Sequence, residues 1–298
     1  MKKHNVFITC IAILTIAILI LIVFMRVSSP RNENNVPETT AAVETTAVSP
    51  TSEIPLIDLE LQKVLEEQIY CDSCGWDVYV EKLATGEYAH VSKNLPADGK
   101  MVSASIIKLF VMGTVYDEIE KGNLSHDDVY DSLTAMITWS DNDACNRLVT
   151  LLGDGDALAG ESKVNAWAAS IGCGNCTINR LMLEDNGLQN YVTADECATI
   201  LRLIYKEECV SAQASKEMML LLEKQQVNNR IPMGLPEGTR VAHKTGDLPG
   251  TANADVGIVF SPNGEYIICA ICNNPQNDAA AAERIVSISS SVYAYYNS

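Results

Sequence analysis

Ser105 and Lys108 stand three residues apart in the stretch Met101–Met112, a spacing that could make a nucleophile of the serine. Ile106, Ile107, Leu109, Phe110, Val111, Met112, Val115, Tyr116 and Ile119 put apolar side chains on every side of the helix predicted here, and a helix apolar all round is buried. Residues three apart are neighbours on a helix surface, so hydroxyl and amine can meet. A lysine in such surroundings is costly to keep charged, and its pKa falls. A neutral amine can then take the proton of the hydroxyl and ready its oxygen for attack. On these residues alone a blander reading stands beside this one, in which Lys108 snorkels to solvent and Ser105 is an ordinary first-turn residue.

Two further clusters could join them. Ser140-Asp141-Asn142 opens a predicted helix that continues through Cys145 and Asn146, and Lys244-Thr245-Gly246 closes a predicted strand, with Asp247 next. Taken singly, the first is also a helix cap and the second a solvated strand end. A Ser-His-Asp triad has little to draw on: there are four histidines, and His243 lies beside Lys244, so strand alternation turns it to the opposite face. Ten cysteines include the pairs Cys71/Cys74, Cys173/Cys176 and Cys269/Cys272. These pairs lie too far apart along the chain for the usual four-cysteine zinc spacing, and buried thiols or a few disulfides fit better. No metal and no cofactor is expected.

The three clusters in this order are the set shared by class A β-lactamases and penicillin-binding proteins, and the chain from about Leu56 onward resembles that serine β-lactamase-like family. Arg230-Ile231-Pro232 before Leu235-Pro236 adds to the resemblance. It implies that Ser105 attacks a carbonyl carbon while Lys108 accepts its proton, and that Ser140 relays a proton to the departing nitrogen. It implies that Asn142 meets the acyl side chain, that Lys244 holds positive potential near Ser140, and that Thr245 and Gly246 lie along the substrate. Backbone N–H groups of Ser105 and Asp247 would form the oxyanion hole. The substrate class is then a β-lactam or a D-Ala-D-Ala-type cell-wall peptide. Two departures qualify this. Only 35 residues separate Ser105 from Ser140, fewer than in typical secreted class A enzymes. The family's deacylating Glu follows an Arg on a loop, and if Arg180 is that Arg, Met182 falls at the Glu position. Glu184 is the nearest carboxylate, two residues out of register, and Asn146 is the position that supports such a carboxylate. The alternative is a penicillin-binding peptidase or a sensor that is acylated without turnover.

The elements that must hold these residues follow from pattern. The chain has 298 residues, 47% hydrophobic and 20% charged, enough to bury a full core. A net charge of -17 argues against nucleic acid as a partner. Lys2 and Lys3 precede an uncharged run over 6–25, long enough to cross a bilayer and longer than the apolar part of a cleaved signal peptide. We expect residues 1–5 in the cytoplasm, a single-pass anchor over 6–25, a flexible tether over 26–55, and a monomeric extracytoplasmic catalytic domain over 56–298. Within that domain Trp76, Val78 and Val80 alternate with Asp77, Tyr79 and Glu81 in a hairpin that returns through Thr85-Gly86 to Val91, and strand character recurs over 240–245, 255–260 and 265–272, the last two joined by the turn Pro262-Asn263-Gly264. Helical periodicity fills the interval, with starts near Asp131, Asn142 and Lys163 and a capping box of Thr193 with Glu196. The expected fold is therefore a two-lobe α/β (α+β) fold: an antiparallel sheet of about five strands from 56–100 and 208–298, with an inserted helical lobe, 101–207.

Overall fold

The computed structural model describes residues 56–69 and 73–298. The expected anchor over 6–25 and the tether over 26–55 lie outside the described residues. Among the described residues no helix is long and apolar enough to cross a membrane.

Chain order runs α1 (Leu59–Gln68), β1 (Gly75–Lys82), β2 (Tyr88–Lys93), β3 (Met101–Val102) and a 3-10 turn (Ala104–Ile107), then α2 (Lys108–Glu120), α3 (His126–Thr138), α4 (Asn142–Leu152) and α5 (Ala157–Ser170). It continues with β4 (Tyr191–Val192), α6 (Ala194–Tyr205), α7 (Ala212–Glu223), a second 3-10 turn (Ile231–Gly234), β5 (Arg240–Leu248), β6 (Ala252–Ser261), β7 (Gly264–Asn273) and α8 (Asp278–Asn297). The main sheet has the order β2-β1-β7-β6-β5, every pairing antiparallel. The strands come from both ends of the domain as expected. Val78 pairs with Val91 across the hairpin, and the turn at Pro262-Asn263 joins β6 to β7.

Both faces of the sheet are covered, so β1 does not show the half-exposed alternation read from the sequence. Trp76, Val78, Val80, Ile268, Ala270 and Cys272 pack on one face with Leu61 and Leu65 of α1 and Ile285, Ile288 and Val292 of α8. Val256, Ile258, Ile267, Cys269 and Ile271 pack on the other with α2, α6 and α7. The polar residues this buries on β1 are paired: Asp77 accepts from Ala194 N at 2.8 Å, and Glu81 binds Arg202 through a guanidinium fork. A buried carboxylate survives only with such partners.

Helix starts moved where a cap rather than periodicity decides them. α5 begins at Ala157, not near Lys163, because Asp156 Oδ1 accepts from Leu158 N at 2.9 Å. The Thr193 cap forms on Glu196 N, but the Glu196 carboxylate turns away from the helix start to bind Asn175 N and Cys176 N, each at 2.9 Å. Half of the expected box is therefore replaced by a tertiary contact. The two-residue ladder of β3 with β4 went unread because so short a strand has no period to detect.

Candidate active site

The nucleophile candidate sits at the entry to α2 rather than within a regular helix. Ser105 lies in the 3-10 turn and Lys108 is the first residue of α2, so the pair still spans one turn. Lys108 Nζ is 3.0 Å from Ser105 Oγ. The residue before the serine, Ala104, has φ 43°, and Ser140 has φ 58°. Non-glycine residues held in the left-handed region are strained, and that strain clusters at functional sites.

Lys108 is fully buried and reaches three further oxygens: Ser140 O at 2.6 Å, Asn142 Oδ1 at 2.7 Å and Ser140 Oγ at 3.3 Å. Burial pushes its pKa down to about 8, with Cys145 and Asp141 opposing the fall. A neutral amine keeps two N–H bonds and one lone pair. The two carbonyl-type oxygens can only accept, so they take the two N–H bonds and leave the lone pair for the Ser105 hydroxyl. That is the orientation a general base needs.

The Ser140-Asp141-Asn142 turn is built as a helix entry. Asp141 Oδ1 accepts from Ala144 N at 2.6 Å and caps α4, which leaves Ser140 and Asn142 facing Lys108. Lys244 comes from β5 on the other side. Its Nζ lies 2.9 Å from Ser140 Oγ and 2.8 Å from the carbonyl of Thr245, and it is fully buried rather than a solvated strand end. Burial and the neighbouring Lys108 charge lower the Lys244 pKa to about 7. The expected standing positive charge on Lys244 is thus opposed both by burial and by the neighbouring Lys108 amine. Ser140 Oγ bridges the two amines, which suits a hydroxyl that passes a proton across the cleft.

Gly246 lets β5 pass directly over the nucleophile turn. A Cβ there would come within 3.0 Å of Ser103 O and Ile106 Cγ1. Thr245 is buried beside this crossing, and Asp247 reaches the cleft with its exposed carboxylate bound by the buried guanidinium of Arg230. Arg230 also donates to Asn253 Oδ1 at 2.7 Å. His243 faces away from the cleft, its ring nitrogens each 2.9 Å from Asp255 Oδ1 and Asn228 Oδ1. It holds the strand and takes no part in a serine triad.

The loop 179–190 supplies the remaining wall. Arg180 is buried and donates to Leu188 O at 2.8 Å and Leu181 O at 3.0 Å, while Asn190 Oδ1 accepts from Asn179 N and Arg180 N. Asn190 O also accepts from Ser103 N at 2.8 Å, which ties the loop to the nucleophile turn. Asn190 went unremarked as a site residue, since nothing in a single Asn signals that it will bracket a loop. Asn146 accepts from Met182 N at 2.7 Å and donates to Met182 O at 3.1 Å. The residue that Asn146 supports is therefore Met182.

Ser105, Asn142, Met182, Asn190 and Asp247 line one narrow cleft of about 40 Å³. Glu184 does not line it. Leu183, at φ 64°, turns the chain outward, and the exposed Glu184 carboxylate accepts from Leu181 N at 3.2 Å. The Glu184 carboxylate, expected as the deacylating base, thus lies on the outer side of the loop and not among the residues that line the cleft with Ser105. Among the described residues no group of three or more His, Cys, Asp or Glu could hold a metal ion.

One expected result follows from the amines. Covalent capture of a penicillin should quicken as pH rises through about 8, because the base must be neutral and the neutral fraction of Lys108 grows above its pKa. A stopped-flow pH profile of adduct formation checks it, and a flat profile would remove Lys108 as the base.

A family model described as a beta-lactamase enzyme family matches residues 59–132 and 126–296. No curated protein matches the chain. Among solved structures, PBP-A superposes with a TM-score of 0.71 at 24% identity, covering 82% of this chain and 98% of that one. A mutant of PBP-A in an acyl-enzyme complex with penicillin G gives 0.71 at 23%, over 82% and 99%. The β-lactamase from Sphaerobacter thermophilus gives 0.68 at 22%, over 80% and 97%. At these identities the structural likenesses establish the fold.

Proposed function

Because the chain belongs to the β-lactamase enzyme family, we propose that it is a serine hydrolase of β-lactam type whose Ser105 is acylated rapidly and released slowly. The observation that carries this reading is Lys108 Nζ set between Ser105 Oγ and Ser140 Oγ at 3.0 and 3.3 Å. Ser105 Oγ attacks the lactam carbonyl carbon and its proton passes to Lys108. Ser140 Oγ gives a proton to the lactam nitrogen as the C–N bond breaks, and Lys244 restores the proton to Ser140. The N–H groups of Ser105 and Asp247 receive the developing oxyanion. Asn142, with its oxygen engaged by Lys108, keeps its N–H₂ for the substrate's acyl side chain.

Release of the acyl group needs a water deprotonated on the loop side. Met182 occupies that side with a thioether, which cannot act as a base there. This favours a long-lived adduct, and with it a D-Ala-D-Ala-type cell-wall peptide as the natural acyl donor. The run over 6–25 would hold the domain at the outer face of the cell membrane, a proposal checked by whether the full chain stays in the pellet after alkaline washing.

Intact mass followed over time during exposure to penicillin G tests the main reading. We expect one added penicillin per chain, formed within seconds to minutes and persisting after free drug is removed. Absence of any adduct on folded protein would overturn it. Glu184→Gln should leave both formation and loss of the adduct unchanged, since its carboxylate lies outside the cleft. A slowed loss would return Glu184 to the mechanism.

A further inference from the structure

Arg230 brings a buried positive charge to the end of the cleft, and this chain meets it with a carboxylate of its own. The guanidinium is 2% exposed, and three of its N–H groups are engaged: Nε donates to Asn253 Oδ1 at 2.7 Å, Nη1 to Asn229 Oδ1 at 2.8 Å, and Nη2 to Asp247 Oδ1. Asn253 is the register partner of Asp247 across β5 and β6, so the guanidinium is held from both strands. The Asp247 side chain is 54% exposed and lines the cleft with Ser105, and among the described residues its Oδ2 accepts no hydrogen bond. The other carboxylate here, Asp255, is fully buried and already matched by His243 Nδ1 at 2.9 Å and Ile231 N at 3.0 Å. Of the two, Asp247 is the one that a molecule in the cleft can displace.

We propose that Asp247 is a specificity-determining residue, an internal anion that holds the Arg230 guanidinium and so removes the preference of the cleft for acyl donors that end in a carboxylate. The proposal rests on the Ser105 chemistry above and concerns the leaving side of the donor. A penicillin and a D-Ala-D-Ala-type peptide both carry a carboxylate on the carbon attached to the scissile nitrogen. With that nitrogen at Ser140 Oγ, the carboxylate lies toward Lys244 and Thr245, and strand alternation sends the Thr245 and Asp247 side chains to the same face of β5. A guanidinium without a partner at this place would bind that carboxylate through paired N–H groups. Bound to Asp247, it offers the donor a neutral pair instead, and the incoming carboxylate meets a like charge that water only partly screens. An acidic donor then binds by displacing Asp247 from Arg230, whereas a donor with a carboxamide in that place gives its N–H₂ to Oδ2.

The test compares penicillin G with its carboxamide as acylating agents of the full chain, wild type and Asp247→Asn, by intact mass against time over a range of concentrations. The substitution keeps an amide oxygen for Arg230 Nη2 and removes the charge. We expect the wild type to capture acid and carboxamide with second-order constants within about threefold of each other, once their rates of alkaline hydrolysis are divided out. In Asp247→Asn the ratio of acid to carboxamide should rise by about 10-fold, the size of one like-charge contact in a half-solvated cleft. The rise should come from a lower half-saturating concentration for the acid rather than from a faster limiting rate. An unchanged ratio, with adducts still forming, overturns the proposal and leaves the Ser105 reading standing. Absence of adducts from both compounds on folded wild type overturns that reading and the proposal with it. A wild type that already prefers the acid by about 100-fold overturns the proposal even where Asp247→Asn fails to fold.

Discussion

Ser105→Ala should abolish covalent capture of a fluorescent penicillin, and Lys108→Ala should slow it by about 100-fold or more, the usual contribution of a general base. The first effect is absolute because no other hydroxyl stands where Ser105 does. Ser140 Oγ lies between two amines and accepts from both, from Lys108 Nζ at 3.3 Å and from Lys244 Nζ at 2.9 Å. The second effect is finite because Ser140 and Lys244 remain, and the oxyanion donors do not depend on the amine. Lys108→Ala also strips Ser140 O and Asn142 Oδ1 of a donor at 2.6 and 2.7 Å. Circular dichroism and a melting curve must therefore show a folded protein before the rate is read. Labelling of folded Ser105→Ala at the wild-type rate would sink the assignment of the nucleophile.

The second large effect is a gain. Met182→Glu should shorten the lifetime of the penicillin adduct by about 100-fold, the lower end of what a positioned base supplies. Asn146 clamps the Met182 backbone from both its N–H and its C=O, so the substitution places a carboxylate on a fixed stem beside the cleft. Met and Glu are similar in length, and the Met182 side chain already lines the cleft with Ser105. Formation of the adduct should change little, because neither Ser105 nor Lys108 depends on that side chain for a hydrogen bond. Met182→Gln serves as the control of equal size without a base. If Glu and Gln at this position give adducts of equal lifetime, the water is activated elsewhere and the loop has been misassigned.

Much of the fold was legible because it rests on period and punctuation. The apolar run after Ser105, the strand character near both ends of the domain and the terminal helix were each marked by composition and by turn residues. The elements that shifted were those set by a single side chain, such as the start of α5 at its Asp156 cap. The buried faces of β1 were unreadable from alternation, because helices from distant parts of the chain cover the second face and supply the partners of Asp77 and Glu81.

The same division holds at the site. By itself the sequence determined the chemical inventory: a serine and a lysine one helical turn apart, a Ser-Asp-Asn helix entry and a Lys-Thr-Gly strand end. It also placed Met182 where a carboxylate was wanted, by counting from Arg180. Only the tertiary structure decided which groups meet. Lys108 and Ser140 are 32 residues apart, and Lys244 and Ser140 are 104 apart; no local pattern encodes such distances, because they arise when two cores pack against opposite faces of one sheet. The downward shift of both lysine pKa values likewise comes from burial, which depends on every neighbour at once. Glu184 and Met182 differ by two positions in the chain, yet one backbone torsion at Leu183 puts them on opposite sides of the loop wall. A torsion in an aperiodic loop is chosen by its tertiary hydrogen bonds, and those from Asn146 and Asn190 come from outside or from the far end of the loop.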